Sequence, residues 1–67
     1  MNQLPDGWWA VPLDDLGDKA WRLDGPPFWW CRENFSEAGE LWRYVGGSYF
    51  AFREKENALL FMLRWVQ

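Results

Sequence analysis

The stretch ELWRYVGGSYFAFR at residues 40–53 decides the fold. Two runs rich in aromatic residues flank Gly46 and Gly47 at its centre. A two-residue hairpin loop of type I′ needs positive φ at both of its residues, a conformation that glycine adopts at little cost. The sequence therefore predicts an antiparallel hairpin whose loop is Gly46-Gly47.

The predicted loop determines which strand residues face each other. It places Glu40 opposite Arg53, and the opposite charges of this pair support the register. The other pairs on that face are Trp42 with Ala51 and Tyr44 with Tyr49. The second face carries Leu41, Arg43, Val45, Phe50 and Phe52. In this register, the face of Trp42 is the candidate for an open sheet surface.

A short helix is predicted before the hairpin. Asp24 is a favourable N-cap, and Pro26 and Pro27 suit the first turn, where a missing N–H costs nothing. Apolar residues then follow at positions i, i+3 and i+7, namely Phe28, Cys31 and Phe35. This spacing predicts a helix over residues 26–35.

A second helix is predicted after the hairpin. Residues 54–56 place acids at the end of a helix where its dipole favours negative charge. An amphipathic stripe follows, made of Ala58, Phe61, Met62 and Trp65. Three further leucines, at positions 59, 60 and 63, widen the apolar sector beyond one face. Either the rest of the chain nearly envelops this helix, or Leu63–Val66 straightens into a last edge strand.

A first strand is predicted over Trp8–Leu13. Pro12 cannot donate to a strand ladder, so this strand is either short or at a sheet edge. Residues 14–23 are polar and are interpreted as a loop that includes one helical turn. The predicted fold class is α+β, with residues 1–67 as a single small domain. It has an antiparallel sheet of three strands, or of four, with two helices on one face, a minimal ferredoxin-like βαββα arrangement.

The composition argues against catalysis. The chain has no histidine, one cysteine (Cys31) and two lysines, so no nucleophile–base or acid–base constellation is present. Cys31 is interpreted as a buried structural thiol. No metal site and no cofactor are expected, and the protein is predicted not to be an enzyme. The single cysteine also excludes an intramolecular disulfide, which favours a reducing cytoplasm.

The charge pattern bears on the class of partner. The net charge is −3 and there is no basic stripe, which argues against nucleic acid. No apolar run reaches the length of a membrane span, and no signal-like segment is present, so no membrane contact is expected. Three early acids, Asp14, Asp15 and Asp18, lack the spacing of a calcium loop. They are interpreted as a solvated or capping set, or alternatively as an acidic patch that meets a basic partner.

The tryptophan content is the main functional signal. Seven of 67 residues are tryptophan, and two adjacent pairs occur at 8–9 and 29–30. Neighbours in a strand point to opposite faces, and neighbours in a helix lie about 100° apart. At least one member of each pair is therefore expected at the surface, with Trp9 and Trp29 as the candidates. Tyr44 and Tyr49 join them if their sheet face is open. The alternative is that all seven tryptophans form the core and its rim.

A resemblance extends over rather more than half of the chain. The segments WCRENF (30–35), YFAF (49–52) and ENALLFMLRW (56–65), with Trp42 leading a strand, resemble a pattern in small, largely uncharacterised bacteriophage proteins. The resemblance implies a small α+β protein in the cytoplasm of an infected bacterial host. It carries no catalytic residues, because the matching positions are aromatic and aliphatic.

These features predict a phage-encoded protein-binding module. It would inhibit or redirect a host protein, such as a defence effector or RNA polymerase, through an aromatic and acidic patch. The predicted contact residues are Trp9, Trp29, Asp14, Asp15, Asp18, Tyr44 and Tyr49. The alternative is a self-associating structural or virion component, a homo-oligomer that buries a sheet edge or the tryptophan patch.

Overall fold

A computed structural model describes the backbone of residues 1–20 and 25–66, and the side chains of residues 1–16 and 25–66. Two helices and a four-stranded antiparallel sheet confirm the predicted α+β class. In chain order the elements are β1 (Asn2–Gln3), β2 (Trp9–Pro12), a 3₁₀ segment (Leu13–Ala20), α1 (Pro26–Phe35), β3 (Trp42–Val45), β4 (Tyr49–Phe52) and α2 (Lys55–Trp65).

The sheet has the strand order β1-β2-β4-β3. Both β2 and β3 pair with β4 in antiparallel fashion, so β2 and β3 run parallel to each other with β4 between them. From β2 to α2 the chain therefore follows the predicted β-α-β-β-α order. Pro12 lies at the end of β2, beyond the two residues that pair with β1, where its missing N–H interrupts no ladder on that side.

The fourth strand comes from the N-terminal end of the chain. Gly7 N–H donates to the Leu4 carbonyl at 2.9 Å, and Leu4 N–H donates to the Trp8 carbonyl at 2.7 Å. Pro5 suits the second position of this turn, and Gly7 adopts the positive φ (91°) that it requires. The turn brings Asn2–Gln3 beside β2, while α2 remains helical through Trp65. Leu63–Val66 therefore does not form the last edge strand.

The hairpin β3–β4 forms, but its predicted register is wrong by one residue. Val45 pairs with Tyr49, so the loop holds three residues rather than two. Ser48 N–H donates to the Val45 carbonyl at 3.0 Å, and of the two central glycines only Gly47 has positive φ (76°). This is the pattern of a type II turn, whereas type I′ needs positive φ at both glycines.

The register shift reverses the two faces of β3 relative to β4. Trp42 now lies opposite Phe52, and Tyr44 lies opposite Phe50, so these four rings share the face that packs on the helices. The reverse face of the hairpin carries Arg43, Val45, Tyr49 and Ala51. The predicted pairs Glu40–Arg53, Trp42–Ala51 and Tyr44–Tyr49 do not form.

One core joins this sheet face to both helices. The buried cluster consists of Val11, Leu16, Cys31, Phe35, Trp42, Phe50, Phe52, Ala58, Phe61 and Trp65. Phe61 of α2 lies with its ring centroid 4.9 Å from that of Phe50 and 5.1 Å from that of Phe52. Aromatic rings fill most of this volume, which is how so short a chain builds a core without a disulfide.

Helix α1 has the predicted bounds, with a different cap. Its N-cap residue is Gly25, which offers no side chain to the first turn. The predicted cap, Asp24, lies outside the described residues. At the other end, Ser36 caps α1 with φ 69°, and its carbonyl accepts a 2.7 Å hydrogen bond from Trp42 Nε1. The C-terminal end of α1 thus fixes the position of the Trp42 indole, at the start of β3.

Candidate functional site

Trp29 is exposed, as the sequence predicts. It lies on α1 two residues before the buried Cys31, and 46% of its surface is open to solvent. Its ring meets Phe28 edge to face at 5.9 Å, and the Arg32 guanidinium lies 5.0 Å from its centroid. Arg32 also forms an exposed ion pair with Glu37 at 3.3 Å. The indole is therefore held from two sides while its outer side remains free.

Phe28 connects Trp29 to Tyr44. The Phe28 and Tyr44 centroids lie 6.2 Å apart with near-perpendicular rings, and both side chains are half-buried. We call Phe28, Trp29, Arg32 and Tyr44 the aromatic ridge. Two predicted contact residues, Trp29 and Tyr44, meet here. Their link through Phe28 depends on the packing of α1 against β3, which spacing along the chain does not reveal.

The other predicted contacts lie elsewhere. The prediction of an exposed Trp9 is wrong, because Trp9 is half-buried against the core, under Lys55 Nζ at 5.0 Å from its ring centroid. Tyr49 lies on the opposite sheet face from Tyr44, contrary to the prediction that the two tyrosines share a face. The predicted seven-residue patch is therefore not a single surface.

The acidic residues lie near the turn of the hairpin. Asp14 and Asp15 are exposed in the first turn of the 3₁₀ segment. Leu13 N–H donates to the Ser48 carbonyl at 2.9 Å, which places this turn beside the β3–β4 loop. The side chain of Asp18 lies outside the described residues. Within the described part of the chain, no three potential ligand side chains gather as a metal site would require.

On the reverse face of the sheet, Trp8 is the outward member of the first pair. The Arg43 guanidinium lies 4.3 Å from the Trp8 ring centroid, and Arg43 also contacts Asp6 Oδ2 at 2.6 Å. Strand β4 lies between β2 and β3, so Trp8 and Arg43 meet across it, on the face that carries the fully buried Ala51. The Arg43 hydrogen bond and the Trp8 N–H at 3.0 Å hold the pKa of Asp6 below its usual value. Trp8 is thereby used in a local structural contact.

Sequence reasoning missed a second apolar surface, on α2. Leu59, Leu60 and Leu63 are 48%, 52% and 86% exposed. Among the large hydrophobic residues of the described chain, these are the three highest exposures. The sequence showed that the apolar sector of this helix was too wide for one face. The expected alternatives were a covered helix or a strand, and α2 is neither, because it stays helical with these leucines in solvent. We call these three residues the leucine face.

Cys31 is buried, in keeping with its interpretation as a structural thiol. Its side chain is fully covered in the core, and this burial raises the pKa of the thiol far above its ordinary value. A thiol that stays protonated is a poor nucleophile.

Alkaline pH is expected to destabilise the fold through Cys31. The unfolded thiol titrates near pH 8.5 whereas the folded one stays neutral, so its contribution is complete below that pH and is lost as pH rises. Between pH 8 and pH 9.5 the unfolding free energy should fall by about 1 kcal/mol, measured by urea titration. Cys31→Ala should remove this slope. A wild-type slope equal to that of Cys31→Ala, or rapid reaction of the native thiol with a disulfide reagent, would contradict its burial.

None of the described helices is long and apolar enough to cross a membrane. Comparison with known proteins gives no match: no family model, no curated protein and no solved structure is significantly similar to this chain.

Proposed function

We propose that this chain is a small protein-binding module that docks the aromatic ridge onto a partner protein. The observation that carries the proposal is Trp29, an indole that contacts Phe28 and the Arg32 guanidinium over its ring while 46% of its surface stays exposed. Trp, Tyr and Arg are the residues that dominate binding energy at protein interfaces, and the ridge contains all three. Because neighbouring groups already restrict Trp29, its ordering on binding costs little.

The overall charge favours a partner with a basic surface. The chain carries a net charge of −3, and Asp14 and Asp15 are exposed. Such a charge speeds encounter with a basic surface and disfavours nucleic acid. The resemblance to small bacteriophage proteins supports a bacterial host protein as the partner, in the cytoplasm of an infected cell. Inhibition or redirection of that protein, for example a defence effector or RNA polymerase, is the effect we assign, without catalysis.

Trp29→Ala is expected to abolish capture of the partner from bacterial lysate. Loss of a central interface tryptophan typically weakens binding by about 2 kcal/mol or more, which is roughly thirtyfold in Kd. The half-exposed indole contributes little to the fold, so the unfolding free energy should change by about 1 kcal/mol or less. The measurement is affinity purification with mass spectrometry, followed by titration of the purified partner.

Tyr49→Ala is the matched control. It removes an aromatic ring from the reverse face of the sheet, which also belonged to the predicted patch, and should leave capture unchanged. Loss of capture in Tyr49→Ala with retention in Trp29→Ala would move the contact to the reverse face. If wild-type protein recovers no stoichiometric partner, the proposed function is wrong.

A further inference from the structure

The leucine face lies opposite the core side of α2. The buried residues Ala58, Phe61 and Trp65 define the inner side of this helix. At about 100° per residue, the mean direction of Leu59, Leu60 and Leu63 is roughly opposite to theirs. Scattered exposed leucines are ordinary, but these three lie one turn apart or adjacent and form one continuous apolar strip.

The fold itself does not use this strip. The core is closed by residues on the other side of α2, and none of the three leucines belongs to the core cluster or to its partly buried rim. Shallow space opens among their side chains and Glu56, all on this one helix. Three leucines on a two-turn surface in water are a feature that an interaction partner explains and monomer folding does not.

Charged residues stand at both ends of the strip. Glu56 precedes Leu60 by four residues and Arg64 follows it by four, so each lies about 6 Å along the axis from Leu60. The three form one i±4 ridge, and Leu59 and Leu63 form the next, which is the surface that ridge-into-groove packing uses. Among the described residues, neither Glu56 nor Arg64 takes part in an ion pair, and the Arg64 guanidinium lies 4.2 Å from the Trp65 ring centroid.

The ridge of Glu56, Leu60 and Arg64 is complementary in charge to a second copy of itself that runs in the opposite direction. A two-fold axis through Leu60 would bring the Glu56 of one copy opposite the Arg64 of the other, twice, with leucines between. A parallel pairing would instead place like charges together. Self-complementarity under a two-fold axis is the requirement for an isologous interface.

We propose that a second copy of this chain docks on the leucine face, with the two α2 helices antiparallel across a two-fold axis near Leu60. The contact covers two helical turns per copy and is smaller than a standard protein interface, so the dimer forms at high concentration and dissociates on dilution. This surface differs from the sheet edge and the tryptophan patch that the sequence suggested for self-association. None of its residues belongs to the aromatic ridge, so the inference does not rest on the proposed function.

Sedimentation equilibrium of the full chain, from low micromolar to millimolar concentration, tests the dimer. The wild-type mass is expected to rise from 8.1 kDa toward twice that value. Leu60→Glu places two carboxylates at the axis and should raise Kd about a hundredfold or more, with an unchanged circular dichroism spectrum. Trp29→Ala should dimerise like the wild type. A wild-type mass of 8.1 kDa at millimolar concentration overturns the proposal.

A charge exchange tests the antiparallel orientation. Glu56→Arg and Arg64→Glu should each weaken the dimer several-fold, because each places like charges together. The double variant, Glu56→Arg with Arg64→Glu, should restore it, since each reversed residue again faces its opposite. Failure of the double variant to recover above the single ones overturns the antiparallel pairing. If the Leu60→Glu variant dimerises as strongly as the wild type, the leucine face is not the contact.

Discussion

Trp42→Ala is expected to remove most of the stability of the fold. Trp42 is fully buried, its ring stands edge-on to Phe28 at 5.2 Å, and it stacks with Phe50 at 6.3 Å. Removal of a buried tryptophan costs about 3–5 kcal/mol. A chain of 67 residues has about 3–10 kcal/mol of total stability, so most of it would be lost.

Urea titration measures this effect. Circular dichroism is the signal to monitor, because the six remaining tryptophans complicate the fluorescence signal. Trp42→Phe is the matched variant. It keeps a ring but loses the indole N–H, leaving the Ser36 carbonyl without its 2.7 Å donor, and should cost about 1–3 kcal/mol. A Trp42→Ala protein within 1 kcal/mol of the wild type would show that Trp42 does not occupy the core. It would favour the predicted register, in which Trp42 faces Ala51.

Phe61→Ala is expected to have the second-largest effect, about 3–5 kcal/mol. Phe61 is fully buried where the helices meet the sheet, with Trp30 at 5.9 Å in addition to the Phe50 and Phe52 rings. The cavity cannot close easily, because rings from both α1 and β4 surround it.

Leu63→Ala, two residues further along α2, is the control for Phe61→Ala. Leu63 is 86% exposed, and alanine has the higher helix propensity, so stability should change by no more than about 0.5 kcal/mol. Urea midpoints of the two variants, measured at a concentration where the chain is monomeric, give the comparison. Similar losses in both variants would mean that the leucine face is packed in the monomer, and the dimer inference would lose its basis.

The helices and the hairpin were predictable because their signals are local. The paired prolines and the apolar spacing of residues 26–35 predicted α1 with its observed bounds, and the stripe through Phe61 and Trp65 predicted the buried side of α2. Exposure of Trp29 followed in the same way, from the angle of about 100° between Trp29 and Trp30 as neighbours in a helix. The paired strand at Asn2–Gln3 was missed, since two polar residues have no periodicity to detect.

The register of the hairpin was not predictable from its loop. Gly46-Gly47 is compatible with a two-residue type I′ loop and with a three-residue loop that has a type II turn. The difference of one residue decides whether Trp42 or Arg43 faces the helices. Burial of Trp42 and Tyr44 beside Phe50 and Phe52 removes far more apolar surface from water than burial of Arg43 and Val45 would, and it is the observed arrangement.

By itself, the sequence determined the fold class and the order of its main elements. Each of these follows from residue type and from spacing within one element. Apart from Trp29, tertiary structure alone decided which large apolar residues stay outside. It packed a half-buried Trp9 beneath Lys55, joined Trp29 to Tyr44 through Phe28, and left Leu59, Leu60 and Leu63 in solvent. The physical reason is that a small core holds a limited number of large side chains, and only packing between elements selects which ones it holds.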